Sequence, residues 1–123
     1  MKKIQSKIDK INAFFLELEG EVNKESLVLR KTLKIGEEYG ELCDAVLSEL
    51  GTQRDSKLKK HKREHIENEL ADILVTALGL ARILELDINE LIDKKLDYVL
   101  KRLDSEYKKW LWKMSNTTKE LCI

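Results

Sequence analysis

At 123 residues the chain is one domain in length, long enough for one hydrophobic core and too short for two. Its 42% apolar content excludes a disordered chain, and the absence of proline, with only five glycines, excludes a turn-rich β fold. Twenty-three basic residues balance twenty-three acidic ones, so no net field points to nucleic acid or to an anionic membrane. The longest uncharged run, Ile73 to Ala81, has nine residues against the roughly 20 that span a bilayer. The basic Met1 to Lys7 segment is not followed by an apolar signal core. The expectation is an all-α protein of four to five helices, cytoplasmic and without membrane contact. Cys43 and Cys122 stand alone and form neither a metal motif nor a disulfide framework, which predicts reduced thiols.

In chain order, Ile4, Ile8, Ile11, Phe14 or Phe15, and Leu18 recur every three or four residues and predict an amphipathic helix over Lys3 to Glu19, with Gly20 as its cap. A second helix is predicted from Lys24 to Leu50, started by Asn23 or Ser26 and ended by Gly51. Gly36 and Gly40 lie inside it, each costing about 1 kcal/mol relative to alanine, and leave room for a ligand or a close helix. Residues 52–60 read as an exposed connection, and the basic run from Arg54 to Arg63 is either a solvated surface or a lid toward an anionic substrate. A third helix, Lys62 to Leu86, is charged up to Asp72 and apolar on nearly every face from Ile73 to Leu84, the pattern of a helix central to a bundle or between subunits. Asp87 and Glu90 have the spacing of a capping box. Ile88, Ile92, Leu96, Val99, Leu103, Tyr107 and Trp110 then mark a seam on a fourth helix. Trp110 and Trp112 suit core or interface packing better than stacking on a base. A single domain over 1–114 is expected, with 115–123 as a loose tail.

Two acidic motifs dominate the chemistry. Glu37-Glu38-Tyr39-Gly40-Glu41 and Glu69-Leu70-Ala71-Asp72 have 27 residues between them. Residues three apart share a helix face, so Glu38 with Glu41, and Glu69 with Asp72, point the same way. If the two helices pack together, four carboxylates meet and repel one another unless a divalent cation sits among them. All-oxygen ligands favour Mg²⁺ or Mn²⁺ over Zn²⁺. A di-iron site would need Glu-x-x-His on two helices, and neither His61 nor His65 follows a Glu by three. Spacing alone leaves open a solvated acidic surface, because pairs such as Glu64 and Glu67 have the same separation.

The order Glu37-Glu38-x-x-Glu41, then Glu69-x-x-Asp72, resembles the signature of MazG-type nucleoside triphosphate pyrophosphohydrolases. The flanking Lys34-Ile-Gly-Glu-Glu-Tyr-Gly-Glu-Leu and the later Lys95-Leu-Asp-Tyr-Val-Leu-Lys-Arg102 resemble it too, so that the likeness covers Leu33 to Arg102. It implies an all-α subunit that assembles as a dimer or tetramer and hydrolyses a nucleoside triphosphate to the monophosphate and pyrophosphate. By resemblance, Glu38, Glu41, Glu69 and Asp72 would ligate Mg²⁺, with Mn²⁺ as substitute and Glu37 at or beside the metal. Glu37 or Glu41 would take a proton from the attacking water. Lys95 and Arg102 would meet phosphate oxygens, with Lys34 a further candidate. The chain departs from the pattern at Gly79 and Val99, where many relatives carry asparagine, and both departures bear on the substrate.

The competing reading is a non-catalytic helical module for dimerisation or regulation that keeps the acidic motif without turnover. A nucleic-acid partner held by Lys57 to Arg63 is disfavoured by the zero net charge.

Overall fold

The computed structural model describes the backbone of residues 2–19, 23–51 and 56–121, and the side chains of 2–18, 23–50 and 63–117. It is all-α. Four helices, α1 (Lys2–Glu19), α2 (Lys24–Gly51), α3 (Ser56–Ile83) and α4 (Ile88–Leu121), account for nearly all of the described residues, and no strand occurs among them. Contacts divide the chain into two units, Met1–Ile88 and Asn89–Ile123.

Within the first unit the local chemistry sets the helix ends. Asn23 caps α2: its side-chain oxygen accepts a hydrogen bond from the Ser26 amide at 2.8 Å, satisfying one of the donors that a helix start leaves free. The third helix begins at Ser56 rather than near Lys62, so residues 56–61 belong to a helix and not to the expected connection; residues 52–55, Arg54 among them, and the basic side chains up to Lys62 lie outside the described residues. At its far end α3 closes with two reverse bonds, Leu86 N–H to the Ala81 carbonyl at 2.9 Å and Glu85 N–H to the Arg82 carbonyl at 3.0 Å. Glu85 sits between them at φ 61°, the left-handed conformation that this type of helix stop requires and that usually falls to glycine.

α3 is the central helix of this unit, packing on both α2 and α1. Contact order fixes the directions. Glu38 meets Glu69 while the earlier Lys31 borders the later Gly79, so α2 and α3 run antiparallel. Asn12 donates to the Gly79 carbonyl at 3.1 Å and Asp9 binds Arg82, so α1 is antiparallel to α3 as well. The Arg82–Asp9 contact is a two-pronged fork, Nε to Oδ1 at 2.7 Å and Nη2 to Oδ2 at 3.0 Å, and Arg82 Nη1 also donates to the Leu86 carbonyl at 2.9 Å. One side chain thus ties α1 to both the body and the cap of α3. Ile8, Ala81 and Ile88 form the core with Leu78 against them, and the Ile88 amide donates to Gln5 Oε1 at 3.1 Å.

The apolar stripes are only partly used inside this unit. Of the predicted α1 stripe Ile8 is buried, while Ile11, Phe14, Phe15 and Leu18 stay exposed. Leu70, Leu74 and Val75 on α3 are exposed too, so the most apolar helix is central yet keeps one open face.

The second unit is the α4 helix from Asn89 onward. It runs through Ser115 to Leu121, the stretch expected to be loose. Within this unit the predicted seam is exposed at Ile92, Leu96, Leu103, Tyr107 and Trp110, and the Tyr107 and Trp110 rings stack with centroids 5.9 Å apart. Trp112 is exposed as well.

Candidate metal centre

Glu38 and Glu41 lie one turn apart on α2, and Glu69 faces them from α3. A carboxylate oxygen from each of the three lies within 4.8 Å of the others. Glu38 and Glu69 are 7% and 6% exposed, whereas Glu41 is open to solvent. Burying a carboxylate without a full set of partners is costly, and burying two beside each other more so. Some of that charge is met. Lys34 Nζ lies 3.3 Å from Glu38 Oε1 and 3.1 Å from Glu37 Oε1, and His65 Nδ1 stands 3.7 Å from Glu69 Oε1. Hydrogen bonds to Glu37 and then Glu38 hold the Lys34 ammonium above its ordinary value of 10.5, so Lys34 is a cation at every pH below that. The other two oxygens are not met. Among the described residues, Glu38 Oε2 and Glu69 Oε2 are buried and accept no hydrogen bond. A pair of buried, unpartnered carboxylate oxygens contributed by two helices fits a hard divalent cation, whose charge would replace the missing donors.

Not every predicted residue joins this group. Glu37 is exposed and held by Lys34. Asp72 is half-buried one turn beyond Glu69, outside the group of three, and its carbonyl accepts from Thr76 Oγ1 at 2.7 Å. Lys95 and Arg102 stand exposed on α4 in the second unit, where Lys95 Nζ lies 5.0 Å from the centre of the Tyr98 ring. Tyr39 is exposed, and a hydrogen bond with Cys43 holds its hydroxyl above the ordinary value of 10.0. Among the described residues, a methyl added to Gly36 or Gly40 would meet nothing within 4 Å.

Beside the carboxylates, in the same unit, lies a cavity of about 210 Å³ bounded by α1, α2 and α3. Ile8, Ile11, Phe15 and Val75 give it apolar walls, Lys34 and Thr76 stand on its border, and Asn12 and Gly79 form part of its lining. Periodicity did not single out Asn12. The one signal the sequence carries for it is a carboxamide four residues after Ile8, inside an otherwise apolar stripe.

Residues 28–104, more than half of the chain, match the family model of the MazG nucleotide pyrophosphohydrolase domain. No curated protein and no solved structure gives a significant match. The matched stretch contains the three clustered glutamates and the helices that carry them. The chain belongs to the MazG nucleotide pyrophosphohydrolase family.

Proposed function

We propose that the protein hydrolyses a nucleoside triphosphate, of either sugar, to the nucleoside monophosphate and pyrophosphate, with Mg²⁺ as its cofactor and Mn²⁺ as a substitute. The observation that carries this reading is the pair Glu38 Oε2 and Glu69 Oε2, buried on facing helices and unpartnered among the described residues. Glu38, Glu41, Glu69 and Asp72 hold the metal in this proposal. When bound, Mg²⁺ offsets the negative charge of the triphosphate and polarises the phosphoryl group under attack.

The chain's own side chains do the rest. Glu37 or Glu41, both exposed, takes the proton of the attacking water at a carboxylate oxygen. Lys34, paired with two carboxylates, exchanges one of them for a phosphate oxygen in this proposal. Lys95 and Arg102 are assigned to phosphate oxygens by their match to the family's later basic segment, where they offset charge on the departing pyrophosphate. We place the protein in the cytoplasm as a homo-oligomer, a dimer or a tetramer.

The test is pyrophosphate release from a panel of ordinary and damaged NTPs and dNTPs in Mg²⁺, Mn²⁺ or EDTA. Release with an equal amount of monophosphate, stopped by EDTA, is the expected result. Folded protein that releases no pyrophosphate from any of them would move the reading to the non-catalytic dimerisation or regulatory module.

A further inference from the structure

We propose that the cavity over Gly79 seats the substrate's base, and that Asn12 reads it through a base N–H donated to its Oδ1; this rests on the triphosphate reading above. The amide of Asn12 has a fixed orientation, because its Nδ2 donates to the Gly79 carbonyl at 3.1 Å. That leaves Oδ1 as the free end. Asn12 is 8% exposed, and its Oδ1 is buried with no donor among the described residues. A buried acceptor of this kind is costly unless a donor reaches it. The space it borders is real: a methyl built on Gly79 would come 3.5 Å from Asn12 Oδ1 and 3.6 Å from Lys31 Nζ, ordinary contact distances.

The lining decides which part of a nucleotide fits. Ile8, Ile11, Phe15 and Val75 offer apolar faces to a ring. A phosphate oxygen would be repelled by Asn12 Oδ1, which accepts and cannot donate, whereas a base N–H satisfies it. Lys31 and Lys34 both line the cavity, and Lys34 also pairs with Glu38 at 3.3 Å, so Lys34 marks the side from which the phosphates lead to the carboxylates. The volume of about 210 Å³ is below the ~300 Å³ at which pockets begin to hold a drug-sized ligand, and suits a planar base rather than a whole nucleotide. Uracil N3–H, guanine N1–H and the amino groups of cytosine and adenine are the donors a base offers.

The probe pair is uridine triphosphate and 3-methyluridine triphosphate, which differ in that one N–H. Two readouts are taken on the full chain with Mg²⁺: the KM and kcat of hydrolysis, and the Kd of the α,β-imido analogues, which requires no turnover. The expected result is about tenfold weaker KM and Kd for the methylated base, the scale of one buried hydrogen bond. In Asn12→Ala the discrimination between the two uridines disappears. Gly79→Ala puts a methyl into the cavity at 3.5 Å from Asn12 Oδ1 while favouring the helix, so its Tm does not fall although uridine triphosphate binds more weakly. Equal use of the two uridines by the natural protein, as a resident water on Oδ1 would give, overturns the inference, and so does discrimination that survives Asn12→Ala. If the imido analogues bind with this pattern but nothing is hydrolysed, the base site stands and the hydrolase reading fails.

Discussion

Glu69→Gln is expected to abolish turnover and, in the same protein without metal, to raise the melting temperature. Turnover is lost because the substitution removes a buried anionic oxygen that a metal would use; a fall on the order of a thousandfold or more corresponds to the several kcal/mol that a bound cation supplies to a phosphoryl reaction. Stability rises for a separate reason. Glu38 Oε2 and Glu69 Oε2 lie buried without donors, from carboxylates that approach within 4.8 Å. The glutamine keeps the shape, removes one of the two like charges, and brings an N–H₂ group able to donate to Glu38 Oε2. Satisfying a buried acceptor is worth about 1–3 kcal/mol, a shift of several degrees in a domain of this size. The sign follows from a site arranged for a ligand at the expense of the fold that holds it. Glu64→Gln, on the exposed surface of the same helix, serves as the control and changes neither quantity. Calorimetry in EDTA beside a pyrophosphate assay checks both halves; a Glu69→Gln protein that melts lower and still turns over contradicts the account.

The second large effect concerns α4. Within its own unit, its seam residues Leu96, Leu103, Tyr107 and Trp110 are about half exposed, and Leu100, Leu111 and Met114 add to the apolar surface of that helix. A run of this length on one helix is far more than the isolated exposed side chains of an ordinary surface. A second copy of the chain would supply a matching stripe, since a two-fold interface sets the same patch against itself. Leu103→Glu with Trp110→Glu places charge on either side of Tyr107 in that seam, where burial would leave it unpaired. The natural protein is expected at twice or four times the 14.4 kDa chain mass by light scattering, and the double variant at 14.4 kDa. A natural protein already at the single-chain mass contradicts the oligomer.

What could be read from the sequence divides by range. Glu38, Glu41 and Glu69 were legible because helical spacing places acids on one face, and a short link between two long helices brings the faces together. The capping role of Asn23 was legible as one of two local alternatives. Asn12 was not, because its meaning comes from Gly79, 67 positions away, and a carboxamide beside Ile8 and Ile11 reads locally as a polar edge. Gly79 looked like a missing side chain; in the structure a carboxamide reaches that space from α1 instead. The early start of α3 at Ser56 and the extension of α4 to Leu121 escaped for the opposite reason, since charged and polar residues at helix ends carry no apolar period to read. The partial burial of the α1 stripe escaped too, because periodicity marks which face is apolar and not what covers it.

The central claim, that the glutamates of α2 and α3 form a metal centre, is tested most directly by titrating Mn²⁺ and following the free ion by electron paramagnetic resonance. The natural protein is predicted to bind Mn²⁺ saturably, and Glu38→Gln/Glu69→Gln, with its helical circular dichroism intact, to leave the ion free. Equal binding by the two proteins, or none by the natural one, would contradict it.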